Sequence, residues 1–116
     1  MSAKNKTIIE KANETFRRAD VEGLLALCTD DFTWTMVGAE KVAGKAAIRE
    51  WMSHGPSEPP NFSIDTVIAE GVFVACIGDM TMDENGEVTP YGYCDVWRLE
   101  GDKIAELRAF VIKTKL

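Results

Sequence analysis

The segment Tyr91–Val111, YGYCDVWRLEGDKIAELRAFV, decides the fold. It reads as two strands around a tight Glu100-Gly101-Asp102 turn, with one acid, Asp95, set among aromatics. Successive side chains of a strand point to opposite faces, so Tyr93, Asp95, Trp97 and Leu99 share one face while Cys94, Val96 and Arg98 share the other. A carboxylate on an otherwise apolar face either meets a ligand in a cavity or is satisfied by a hydroxyl or amide from elsewhere in the chain.

Working outward, Phe62 to Ala69, Val72 to Met82, Val88 to Leu99 and Lys103 to Lys113 are β-rich runs. Glu70-Gly71, Glu84-Asn85-Gly86 and Glu100-Gly101-Asp102 separate them, each a turn signal of hairpin type. Pro90, early in the third run, predicts an edge or a bulge. Upstream, Ile8, Ile9, Ala12, Phe16 and Ala19 recur at helical spacing with charged residues between them, which predicts an amphipathic helix. Asp20 caps a shorter helix, Val21 to Cys28, whose apolar side is Leu24, Leu25 and Leu27, and Thr29-Asp30-Asp31 ends it. Phe32, Trp34 and Met36 alternate with Thr33 and Thr35 as a first strand. Gly38 to Gly44 reads as a loop. A third helix, Lys45 to Ser53, presents Ala47, Ile48, Trp51 and Met52 inward until GPSEPP breaks it. Three helices followed by a meander predict an α+β fold with one sheet face packed on the helices, and 116 residues make residues 1–116 a single domain.

A net charge of −6 and a pI near 4.8 leave no basic face for phosphate, so nucleic acid is not the predicted partner. No apolar run reaches the roughly 18 residues of a membrane span, and MSAKNKTIIEK has no signal-peptide core, so a membrane is excluded and the cytoplasm is the default location. Cys28, Cys76 and Cys94 are widely spaced in apolar contexts and match no metal-ligand pattern; they read as buried reduced thiols. His54 is the one histidine, at the end of the third helix, where exposure or a helix-end charge accounts for it better than catalysis. No cofactor or metal is called for.

The order of elements, with ADVEGLLALCTDDFTW at Ala19–Trp34, GKAAIREW at Gly44–Trp51 and DVWRLEGDKIAELRAF at Asp95–Phe110, resembles the nuclear-transport-factor-2-like superfamily over nearly the whole chain. That superfamily includes ketosteroid isomerases, SnoaL-like polyketide cyclases and limonene epoxide hydrolase. The resemblance implies a cone of three N-terminal helices on a strongly curved, mainly antiparallel sheet, which commonly pairs through its outer face. Asp95 in DVWRL matches the acid of the isomerases' D-x-F-R-F motif, which donates a hydrogen bond to an enolate. Met36 stands where their general base belongs, and Ala12 falls near their helical tyrosine, so steroid isomerisation by that mechanism is not supported. The hydrolase's polar groups map onto Trp34, Met36, Met80, Gly78 and Ala109, all apolar. SnoaL-like cyclases, which use a single acid on bulky apolar polyketides, are closer in kind.

If the sheet curls as the family's does, the cone is lined by Trp34, Met36, Trp51, Met52, Val74, Cys76, Gly78, Met80, Tyr93, Asp95, Trp97, Leu107, Ala109 and Val111. One reading makes this a pocket for a small apolar molecule, with Gly78 leaving room. Asp95 and Tyr93 are then the candidate catalytic pair, and Trp34, Met36, Trp51, Cys76, Met80, Trp97, Ala109 and Val111 the ligand contacts. Burial raises the pKa of Asp95 in that case, and Tyr93 donates a hydrogen bond to it or to the ligand. A second reading makes the same residues core, with Asp95 accepting from Tyr93 or an indole N–H. A third is a non-catalytic binding or dimer module. Val96 and Phe110 on the outer face predict a homodimer, with Arg98 and Arg108 pairing with acids of the other copy.

Overall fold

The computed structural model describes residues 2–55 and 61–114. The break predicted at GPSEPP therefore falls, from residue 56 on, outside the described residues. Helix α1 (Ser2–Arg17) carries Ile8, Ile9 and Ala12 into the core. It ends two residues before the predicted Ala19, which is exposed and turns the chain with φ 52°. Helix α2 (Val21–Ala26) starts as expected on Asp20, whose carboxylate accepts the Gly23 N–H at 2.9 Å. It is shorter than predicted, because Thr29, Asp30 and Asp31 form the start of a strand rather than a helix end. Strand β1 runs Cys28–Met36, and its polar start is tolerated because Asp30 and Asp31 are exposed.

The predicted Gly38 to Gly44 loop contains a short strand, β2 (Lys41–Ala43), which folds back on Thr33 to Thr35. Helix α3 (Lys45–Ser53) buries Ile48 and half-buries Trp51 and Met52, whereas Ala47, expected inward, faces solvent. Strands β3 (Asn61–Glu70), β4 (Phe73–Glu84), β5 (Glu87–Glu100) and β6 (Lys103–Lys113) follow in hairpins. Asn85 and Gly86 both take positive φ, the conformation a two-residue hairpin turn demands.

The six strands form one curved, unclosed sheet in the order β2-β1-β6-β5-β4-β3, antiparallel except where β1 lies parallel to β6. Pro90 sits in β5, an interior strand in unbroken register with β4, so neither the edge nor the bulge occurs. Its carbonyl accepts from the Thr114 N–H just where β6 runs out. The nitrogen points the same way, so the one ladder bond that proline cannot make falls at the end of β6 rather than in the middle of the sheet.

Register builds the inner face in rows. Val74, Trp97, Leu107 and Trp34 are paired across β4, β5, β6 and β1; Cys76, Asp95, Ala109 and Met36 form the next row, then Gly78, Tyr93 and Val111. The first row is core: Val74, Trp97 and Leu107 are fully buried with Phe32, Leu24 and Ile48.

Candidate functional site

Beyond that packed row a cavity of about 150 Å³ opens between α1 and the sheet. It is lined by Asn13 and Phe16 from α1 and by Trp34, Met36, Phe62, Met80, Tyr93, Asp95, Ala109 and Val111 from five strands. The parallel β1–β6 pairing puts Met36 beside Ala109, and the β5–β6 hairpin puts Asp95 on Ala109's other side. Phe16 closes the helical wall, 5.6 Å from the Trp34 ring and 5.8 Å from Trp97. Phe62 meets Tyr93 edge-on, and Arg17 lies over the Phe62 ring, 4.3 Å from its centroid, while donating to the Phe62 carbonyl.

Seven of the ten predicted site residues, Trp34, Met36, Met80, Tyr93, Asp95, Ala109 and Val111, share this cavity. Trp97 and Cys76 are instead buried in the core. Trp51 stacks edge-on against Trp34 on the side facing α3 and gives its indole N–H to Glu40 at 3.0 Å. Asn13, Phe16 and Phe62 escape the strand-based reading. Asn13 had a signal: it stands four residues after Ile9 on the apolar face of α1, the one amide there facing the sheet's site row.

Among the described residues none donates a hydrogen bond to the Asp95 side chain or forms an ion pair with it. Although partly accessible through the cavity it faces, it is surrounded by protein, and burial pushes its carboxyl up to about 7. Tyr93 does not partner it, contrary to expectation: the phenol donates to the Ser63 carbonyl at 2.8 Å. Burial, and next the nearby Asp95 charge, push the Tyr93 hydroxyl well above its usual range. Among the described residues the buried indole N–H groups of Trp34 and Trp97 find no hydrogen-bond partner, so neither serves Asp95.

Gly78 was expected to leave room for a ligand. The space above it is filled instead by the Ser63 carbonyl and the Tyr93 hydroxyl. Ser63 itself is exposed, and its carbonyl lies beside the slip of register in β3 between Ile64 and Thr66. Cys28 and Cys76 are buried thiols, pushed by that burial to about 12 and about 11; Cys94 is half-buried. His54 is exposed at the end of α3, its Nε2 2.9 Å from Glu50. Among the described residues no helix is long and apolar enough to cross a membrane.

Residues 9–107 match the family model of the SnoaL-like domain. No curated protein matches the chain. Among solved structures, a nuclear-transport-factor-2-like protein of unknown function from Burkholderia pseudomallei K96243 superposes with TM-score 0.85 at 22% identity, covering 94% of this chain and 90% of its own. An LEH-like epoxide hydrolase of M. tuberculosis gives 0.83 at 14%, covering 95% of this chain and 84% of its own. TerC, co-crystallised with polyporic acid, gives 0.79 at 19%, covering 91% and 89%. At such identities the likeness speaks for the fold alone.

Proposed function

The chain belongs to the SnoaL-like domain family, and from that premise we propose that its cavity takes up a small apolar carbonyl compound with which Asp95 exchanges a proton, as in isomerase- or cyclase-type acid–base chemistry. One observation carries the reading: Asp95 is an unpartnered carboxyl in an aromatic and thioether wall. A group poised near 7 gives up and takes back a proton at little cost at neutral pH. The relative TerC was crystallised with polyporic acid, which supports an organic ligand in this fold.

Size narrows the ligand. A cavity of about 150 Å³ is known to hold benzene, so a single six-membered ring with one carbonyl fits the described space, and a four-ring steroid does not. Tyr93, whose proton is committed to Ser63, shapes the wall beside Asp95. The outer sheet face pairs two copies in this proposal, and the protein works in the cytoplasm.

The test is hydrogen–deuterium exchange at the carbon next to the carbonyl of cyclohex-2-enone, followed by mass spectrometry. The wild type is expected to accelerate exchange, and Asp95→Asn to lose about 10²- to 10⁴-fold of that acceleration. Equal exchange by both proteins would overturn the catalytic reading.

A further inference from the structure

One side chain stands between two spaces. Trp34 lines the cavity of about 150 Å³ that Asp95 faces, and it also lines a groove of about 310 Å³ on the α3 side, whose other described walls are Trp51, Met52, His54 and Gly55. The base of this partition is fixed, because Trp34 is paired across the sheet with Val42 on one side and Leu107 on the other. Its ring is wedged between two more, Phe16 at 5.6 Å on the helical wall and Trp51 edge-on at 5.1 Å. Trp51 is itself tied down. Its indole N–H goes to the Glu40 carboxylate at 3.0 Å, and the Glu40 carbonyl accepts the N–H of Met36, a wall residue of the cavity, at 2.7 Å. The Trp34 indole N–H, by contrast, is buried and finds no partner among the described residues, so packing rather than a hydrogen bond holds this ring across the boundary.

We propose that Trp34 is a specificity-determining residue that ends the ligand site at a single ring, with the Glu40–Trp51 pair as the strut that keeps it there. Without the indole the cavity and the groove become one space, which accepts a second fused ring. This rests on the inner cavity being the ligand site, as read above, but not on the ligand's carbonyl. The asymmetry follows from packing. In the wild type a second ring must displace an indole held by two aromatic neighbours, and overpacking of that kind costs more than the new apolar contact returns. With alanine at position 34 the same ring fills the space that the indole left, and it recovers contacts that the cavity lining would otherwise forfeit.

The experiment titrates benzene, naphthalene and cyclohex-2-enone into the wild type, Trp34→Ala and Glu40→Ala, following methionine methyl resonances by NMR. Met36 and Met80 report on the cavity and Met52 on the groove. In the wild type benzene should bind more tightly than naphthalene, moving Met36 and Met80 and leaving Met52 still. Trp34→Ala should reverse that order, tightening naphthalene by about 10- to 100-fold and moving all three methyls. Glu40→Ala, which removes an exposed side chain, should tighten naphthalene by about 2- to 10-fold, the worth of one hydrogen bond; no change there strikes out the strut and leaves the partition. A wild type that takes naphthalene as tightly as benzene, or a Trp34→Ala protein that still rejects it, overturns the assignment. Benzene binding without the enone refutes the carbonyl reading and leaves the partition standing, whereas a wild type that binds none of the three removes the ligand site and the partition together. Should Trp34→Ala not fold, Trp34→Phe decides on the same readout: it keeps an aromatic ring in place but a smaller one, and naphthalene that binds it no better than the wild type would refute the proposal.

Discussion

Asp95 owes its character to what is absent around it. With no donor and no cation among the described residues in contact with it, burial sets its proton affinity, and its folded-state value of about 7 lies above the ordinary 3.8. Between those values the folded chain holds a proton that the unfolded chain has released, so the fold loses stability as pH rises through that window and levels off above it. At about 1.4 kcal/mol per unit, the charged form costs the fold a few kcal/mol at alkaline pH. Asp95→Asn removes the ionisation and keeps the shape. In urea unfolding it should be more stable than the wild type by about 2–4 kcal/mol at pH 8 and within about 1 kcal/mol at pH 4. A difference that does not change with pH would mean that Asp95 is not the buried acid described here. The position of Asp95 was legible in the sequence, because period-2 alternation puts it on the aromatic face whatever the tertiary context. That it stands alone was not legible. The candidates to satisfy it, Tyr93 and the indoles, are oriented by Ser63 and by core packing, which no local pattern encodes.

At the scale of elements, local chemistry and long-range packing divide in the same way. The hairpin strands and α1 follow from periodicity, since each buries one face continuously. Strand β1 starts earlier than its alternation indicates, because Thr29-Asp30-Asp31 has turn composition but an exposed strand can carry it, and β2 is too short to leave a pattern. How deep α1 seats on the sheet decides which inner-face residues are core and which are cavity. Trp97 and Asp95 lie on the same face two residues apart, yet one is floor and the other is wall. Gly78 shows the coupling of β3 to β4. Because a Cβ there would collide with the Ser63 carbonyl and lie 2.9 Å from the Tyr93 hydroxyl, Gly78→Ala must push β3 away or break the Tyr93–Ser63 bond. The expected cost is about 2–4 kcal/mol, from overpacking plus one buried hydrogen bond. Thermal unfolding measures it, and Tyr93→Phe in the same background should add little further loss, because the bond is already gone. Fully additive losses would show that the glycine serves something other than this lock.

On the scale of the whole molecule, three helices cover the concave face and leave the convex one bare. The arginines expected to reach a second copy are partly engaged at home: Arg98 bonds Glu100 at 3.2 Å and Glu106 at 3.3 Å, and Arg108 lies over Phe110. The apolar surface is nevertheless larger than Val96 and Phe110 alone suggest. Register places Ile77, Cys94 and Phe110 in one row across β4, β5 and β6, flanked by Ala75 and Val96, and Phe73, Ile77 and Ile112 are 48%, 40% and 69% exposed. A surface of that kind on a small domain is expected to close on its own copy about a two-fold axis, and the ion pairs around Arg98 then form its polar rim rather than its centre. Ile77→Glu puts a charge at the middle of the patch on a side chain that is already partly exposed, so the fold should survive while the contact does not. Sedimentation equilibrium should find a dimer for the wild type at micromolar concentration, and dissociation about 100-fold easier for the variant, corresponding to the roughly 2–3 kcal/mol of burying an unpaired charge at the centre of an interface, with circular dichroism unchanged. A wild type that sediments only as monomer would leave the convex face without this role.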